Sequence, residues 1–128
     1  MSKITTHILD TARGCPAEGV RVILYRQEGV PEGREVEIAR SYTNKDGRIA
    51  DWLRSEGGGA DAGSGVVSHA DRSFGIYKIR FETRDYFDKW TVASFYPWVD
   101  IYFEVGLEGH YHVPLLISPY GYSTYRGS

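Results

Sequence analysis

Side-chain character alternates along most of this sequence, and that period of two constrains the fold more than any other feature. In "GIYKIRFET" Tyr77, Ile79 and Phe81 alternate with Lys78, Arg80 and Glu82. In "WVDIYFEVG" Val99, Ile101, Phe103 and Val105 alternate with Asp100, Tyr102 and Glu104. Successive strand residues point to opposite faces, so each stretch reads as a strand with one buried and one wetter face. "ITTHILD", "VRVILYRQ", "REVEIARSYT", a short "RIADWL", "HYHVPLLIS" and "GYSTYRG" are further strand candidates. "RGCPAEG", "EGVPEG", "NKDG", "VGLEG" and "SPYG" are the turn signals between them. About eight short strands joined by turns predict an all-β antiparallel sandwich or barrel.

Two segments break the pattern. "SEGGGADAGSGVVSHADRS" is rich in Gly, Ala and Ser and reads as a long exposed loop. His69 lies inside it and is a minor candidate for function. "TRDYFDKW" places Tyr86, Phe87 and Trp90 at helical spacing behind Thr83, a possible cap, and predicts one short helix.

A chain of 128 residues fits a single domain, 1–128, with no repeat and no second core. Such a domain buries roughly two thirds of its unfolded surface and needs no metal or disulfide to hold it. The net charge of -2 leaves no footprint for nucleic acid or an anionic membrane. No apolar run approaches the roughly 20 residues of a membrane helix, and "MSKITTHILD" lacks the pattern of a secretory signal. The single cysteine, Cys15, excludes an internal disulfide and a thiolate cluster, and reads as a structural or incidental thiol. A reducing cytoplasm is the simplest compartment.

Three of the four histidines fall on strand candidates: His7, His110 and His112. Residues two apart share a face, so His110 and His112 look the same way. Tyr111, Val113, Leu115 and Ile117 then form the core face of that strand. Likewise Ile4, Thr6 and Ile8 face inward while Thr5, His7 and Leu9 face out. Two outward histidines from opposite ends of the chain meet if their strands are sheet neighbours. The bland alternative is that each is a solvated side chain. A zinc site built from the H-x-H pair and His7 is a weaker reading, since no carboxylate offers an evident fourth ligand. There is no nucleophile elbow, P-loop or dinucleotide fingerprint. Arg48 directly follows the "NKDG" turn; it is either solvated or presents forked donors to a planar ligand or a developing oxyanion.

"THILDTARGCPAEGVRVILY", "TNKDGR" and "HYHVPLLISPYGYSTYRGS", in this order over nearly the whole chain, resemble the 5-hydroxyisourate hydrolases, the transthyretin-related enzymes of urate breakdown. The terminal Tyr-Arg-Gly-Ser is similar to the signature that separates those hydrolases from the hormone-carrying transthyretins. The resemblance implies a transthyretin-like (prealbumin-like) sandwich of two four-stranded sheets with one short helix. It implies hydrolysis of 5-hydroxyisourate to 2-oxo-4-hydroxy-4-carboxy-5-ureidoimidazoline by histidine-activated water, with no metal and no cofactor. Its catalytic residues fall on His7, Arg48 and His112, and its tail on Tyr125, Arg126, Gly127 and Ser128. Tyr125, Arg126 and Gly127 are then substrate-binding. Ser128 is placed among the catalytic residues, either holding substrate or acting as a nucleophile. The implied assembly is a homotetramer, a dimer of dimers, whose sites lie in a channel between subunits. The alternative is a transthyretin-like carrier of a small ligand without catalysis. Departing from the family pattern, the Gly-rich stretch at 55–70 is long. Trp90 and Trp98 match no motif and are assigned to packing.

Overall fold

The computed structural model describes residues 2–28, 33–49, 52–54, 75–106 and 109–128. The Gly-rich stretch at 55–70, with His69, lies outside the described residues. The elements are β1 (Ser2–Asp10), β2 (Cys15–Pro16), β3 (Arg21–Glu28), β4 (Arg34–Tyr42), β5 (Leu53–Arg54), β6 (Gly75–Phe81), α1 (Thr83–Lys89), β7 (Val99–Val105), β8 (Gly109–Ser118) and β9 (Gly121–Thr124). They form two sheets, here called A and B. Sheet A runs β2-β1-β8-β9, and sheet B runs β5-β4-β3-β6-β7. The expected sandwich with one short helix is present; the fifth strand of sheet B is the two-residue β5 at its edge.

The alternation does what the sequence implies. Ile4, Thr6 and Ile8 of β1 and Val113, Leu115 and Ile117 of β8 are buried, and they meet Val22, Leu24, Tyr77, Ile79 and Phe81 of sheet B. Trp52 is buried with them and donates its indole N–H to the Ile4 carbonyl, 3.2 Å away. Full burial of one such large apolar side chain stabilises the fold by roughly 1.5–3 kcal/mol.

β1 and β8 run parallel, in register from Ser2 beside Gly109 to Asp10 beside Ile117. Among the described residues every other strand pairing is antiparallel. This exception positions the candidate site, because parallel neighbours at one level share a face. Thr5 lies beside His112, and His7 beside Pro114.

Four sequence expectations need correction. Thr83 is the first residue of α1, not its cap; Glu82 caps it, without a side-chain bond. Trp90 ends the helix and is 49% exposed, with the Arg13 guanidinium 3.6 Å above its ring. Trp98 is similarly half-exposed beneath Arg80, at 4.5 Å, so cation–π contacts and not core packing account for both tryptophans. Lys78 sits on the wetter face of β6 yet is only 5% exposed. Its ammonium lies 4.4 Å from the Tyr25 ring and donates to Glu35 at 2.6 Å, so the charge is paired where water is excluded.

The last strand is also shorter than "GYSTYRG" suggests, ending at Thr124. In the β8–β9 register Tyr125 falls opposite Pro114, which has no N–H to donate. The ladder stops there. The Thr124 hydroxyl takes the Pro114 carbonyl instead, at 2.7 Å, and pairing resumes once, where the Gly127 N–H meets the His112 carbonyl at 2.8 Å.

Candidate functional site

Arg48 reaches β1 through the geometry of its turn. The Asn44 side-chain oxygen accepts the N–H groups of Asp46 and Arg48, at 2.9 and 3.1 Å, and shapes the loop. Gly47 follows at φ +76°, a region costly for residues with a Cβ. A Cβ there would also collide with the Ile8 carbonyl. That close approach lets the Gly47 carbonyl accept the Ile8 N–H at 2.8 Å, and it sets Arg48 opposite His7 in an isolated antiparallel bridge.

His112 comes from β8, beside Thr5. The Thr5 hydroxyl lies 2.8 Å from His112 Nδ1 and 2.7 Å from His110 Nε2. Gly127 covers the opposite side of the His112 ring; a Cβ on it would lie 2.5 Å from Cδ2 and 3.2 Å from Cγ. The imidazole is therefore gripped from both flanks. Its Cε1–Nε2 edge faces off the sheet.

Electrostatics tie the group together. Burial lowers the His112 pKa from its usual value, and the charges of Arg48, His110 and His7 lower it further. His7 is lowered chiefly by burial and then by Arg48, with a hydrogen bond to the Asp46 backbone opposing them. Both shifts favour the neutral ring, the form that can accept a proton.

The tail falls beside this group. Gly127 touches His112, and Ser128 follows it at an exposed position. The Arg126 guanidinium lies 4.8 Å over the Tyr111 ring. Tyr125 is 60% exposed. Tyr125, Arg126 and His112 line a cleft of about 270 Å³ that also meets Tyr102 and Glu104 of β7. Neither His7 nor Arg48 lines that cleft; Arg48 is bridged to His7, and its charge acts on both His7 and His112.

Sequence reasoning assigned nothing to Thr5 or to the ring contact of Gly127. The only available signal was that Thr5 shares the outward face with His7; its partner 107 residues away is set by the parallel register. Among the described residues, no three His, Cys, Asp or Glu side chains gather into a group able to hold a metal. Nor is any helix among them long and apolar enough to cross a membrane.

Comparison with known proteins agrees with this architecture. Residues 4–127 match the HIUase/Transthyretin family. The chain is 42% identical to a probable 5-hydroxyisourate hydrolase of Schizosaccharomyces pombe, over 98% of this chain and 90% of that protein. It is 40% identical to the 5-hydroxyisourate hydrolase of Mus musculus, over 99% and 96%. Among solved structures, Klebsiella pneumoniae 5-hydroxyisourate hydrolase superposes with a TM-score of 0.74 at 37% identity, covering 98% of this chain and 99% of that one. Sea bream transthyretin superposes at 0.79 with 24% identity, covering 97% and 93%, a likeness of fold alone.

Proposed function

The chain belongs to the HIUase/transthyretin family, and on that premise we infer that it is an enzyme that hydrolyses 5-hydroxyisourate in urate degradation. The observation that carries the reading is the cluster of His7, His112 and Arg48 on one outer face of sheet A, where each lowered histidine pKa has Arg48 among its causes.

The chemistry follows from these groups. The substrate is an electron-poor bicycle with an electrophilic ring carbonyl. One neutral imidazole takes a proton from water as the water oxygen bonds to that carbonyl carbon. The carbon–nitrogen ring bond then breaks; the departing nitrogen collects a proton, and the carbonyl carbon, still bound to its ring carbon, becomes a carboxylate. His7 and His112 divide the two proton steps, each able to contribute roughly 10²–10⁴ in rate. Arg48 binds the carbonyl oxygen and steadies the negative charge that develops there. Tyr125, Arg126 and Gly127 hold the flat, polar substrate. Ser128 supplies a hydroxyl to substrate or water, and water is the nucleophile. The reaction uses no metal.

Family likeness supports a homotetramer, a dimer of dimers, and the exposed Tyr125 leaves room for a second subunit to roof the site. The lone Cys15 supports a cytoplasmic setting. A transthyretin-like carrier would share the sandwich, since fold alone does not set function. An apolar hormone fits poorly against Thr5, His7, His110 and His112.

The test is direct. Purified protein is mixed with freshly generated 5-hydroxyisourate and the ultraviolet decay is followed. Decay well above the spontaneous rate is expected. Decay at the spontaneous rate overturns the reading.

A further inference from the structure

We propose that Thr5 is a positioning residue that sets the tautomer of His112, with His110 anchoring the far side of the same hydroxyl. The proposal rests on the reading of His112 as a proton-handling residue, and it adds which ring nitrogen does the work.

The argument is a count of protons. A threonine hydroxyl has one proton and two lone pairs. Thr5 Oγ1 lies 2.7 Å from His110 Nε2 and 2.8 Å from His112 Nδ1, both full hydrogen-bond distances. Its single proton can serve only one of them. The other nitrogen must carry its own proton and donate to the oxygen. If the hydroxyl donates to His110 Nε2, or if both rings donate to its two lone pairs, His112 is protonated at Nδ1 and its Nε2 lone pair is bare. If it donates to His112 Nδ1, that ring carries its proton on Nε2 and is no base.

The surroundings favour the first arrangement. Nδ1 is taken by Thr5, and Cδ2 lies against Gly127. The outward edge is therefore Cε1–Nε2, on the face that holds the cations Arg48 and Lys3. A positive field tips the choice that the Thr5 hydroxyl leaves open toward a lone pair there, but on this solvent-facing edge it is too screened to hold the Nδ1–H form once that hydroxyl is lost or turned. The other ionisable groups nearby are His7 on β1, His110 on β8, Tyr125 and Arg126 of the tail, and Tyr102 and Glu104 of β7 along the cleft. The resulting chain runs from His112 Nδ1–H to the Thr5 oxygen, and from the Thr5 hydroxyl to His110 Nε2. When His112 Nε2 takes the proton of water, Nδ1–H becomes the donor of a cation and its bond to Thr5 tightens. Stabilisation thus grows toward the transition state, which is what raises kcat and not merely affinity. Threonine suits the task because its branched Cβ restricts χ1 and aims the hydroxyl.

Nitrogen-15 NMR of the histidine rings above pH 7 tests this without any turnover, with His112 assigned by the signals missing in His112→Gln. Wild type and Thr5→Ser are expected to show His112 protonated at Nδ1. Thr5→Val is expected to shift it to Nε2–H and to lower kcat by roughly 10–100-fold with KM within about twofold; Thr5→Ser restores most of the rate. Should Thr5→Val fail to fold, His110→Phe alters only the exposed end. Without its outer acceptor the Thr5 hydroxyl turns to His112 Nδ1, and the same shift to Nε2–H is expected. An Nε2–H tautomer in wild type overturns the proposal. So does an unchanged tautomer in Thr5→Val or, failing that variant, in His110→Phe. Absent turnover in wild type alongside the expected tautomers would count against the hydrolase reading and leave this one standing.

Discussion

Gly127 lies against the imidazole of His112 so closely that a single methyl group would displace it, a Cβ being placed 2.5 Å from Cδ2. The glycine of the tail is thus a spatial requirement of the ring. Gly127→Ala is expected to lower kcat at least tenfold, since misplacement by about 1 Å can cost 10²-fold. Its unfolding midpoint should stay close to wild type, because the position is peripheral to the core. Wild-type turnover in this variant would show that the ring is free to move.

Removing residues 125–128 tests the tail as a unit. β9 ends at Thr124, so both sheets keep their strands. Loss of hydrolysis with an unchanged circular dichroism spectrum is expected. Full activity in the shortened protein would refute the tail's part in binding.

The two lowered histidine pKa values set the pH dependence. The acid limb of kcat/KM for the free enzyme should fall below about 6.5, the ordinary histidine value. Arg48 contributes to both shifts, after burial. Arg48→Met should therefore move the limb part of the way back up toward 6.5 as well as lowering turnover. For stability the sign is the same. A depressed histidine binds its proton later in the folded state than in the unfolded chain. Stability is therefore retained above about 6.5 and falls as the pH drops through the depressed values. An acid limb above 6.5 in wild type would contradict this electrostatic picture.

Tyr86 fastens α1 to sheet A. Its hydroxyl donates to Asp10 Oδ2 at 2.7 Å, while Oδ1 accepts the N–H groups of Ala12 and Arg13 at 3.0 Å each. Burial and the Asp10 bond push the phenol pKa up to about 12. Tyr86→Phe leaves one oxygen of a buried carboxylate without this donor and should cost about 1–3 kcal/mol in urea unfolding. A loss below about 0.5 kcal/mol would mean that the bond has little net value.

Thr91 offers the opposite sign. It follows α1 at φ +58°, and the Val92 N–H closes back on the Phe87 carbonyl at 3.1 Å. This is a helix end at which glycine is usual. Thr91→Gly should stabilise the protein by about 1 kcal/mol, the relief of left-handed strain exceeding the added chain entropy. A lowered melting temperature would show that the threonine side chain earns its place by contacts.

Much of this was legible in the residues themselves. Alternation fixed the strands and their inward faces, including Ile4, Thr6 and Ile8, because burial on one side of a pleat repeats every second residue. It also turned His7 and His112 outward. What stayed hidden was partnership. Nothing local in "ITTHILD" announces that its neighbour is "HYHVPLLIS" running the same way, so the bond from Thr5 to His112 had no sequence mark. The early end of the last strand depended on Pro114 lying across from Tyr125, a matter of register. Trp90 and Trp98 read as packing residues because large apolar rings usually are; their arginine covers come from distant strands and turns.

The parallel pairing of β1 with β8 also orders events on the ribosome. β3 and β4 can pair as soon as both have emerged, and β6 and β7 can join them before β8 is made. Apart from the two-residue β2, β1 must wait until β8 has been synthesised about a hundred residues later, a closure of the slow, long-range kind. The scaffold half can therefore set before β8 exists, and a nascent chain stalled ahead of β8 exposes His7 without His112 beside it.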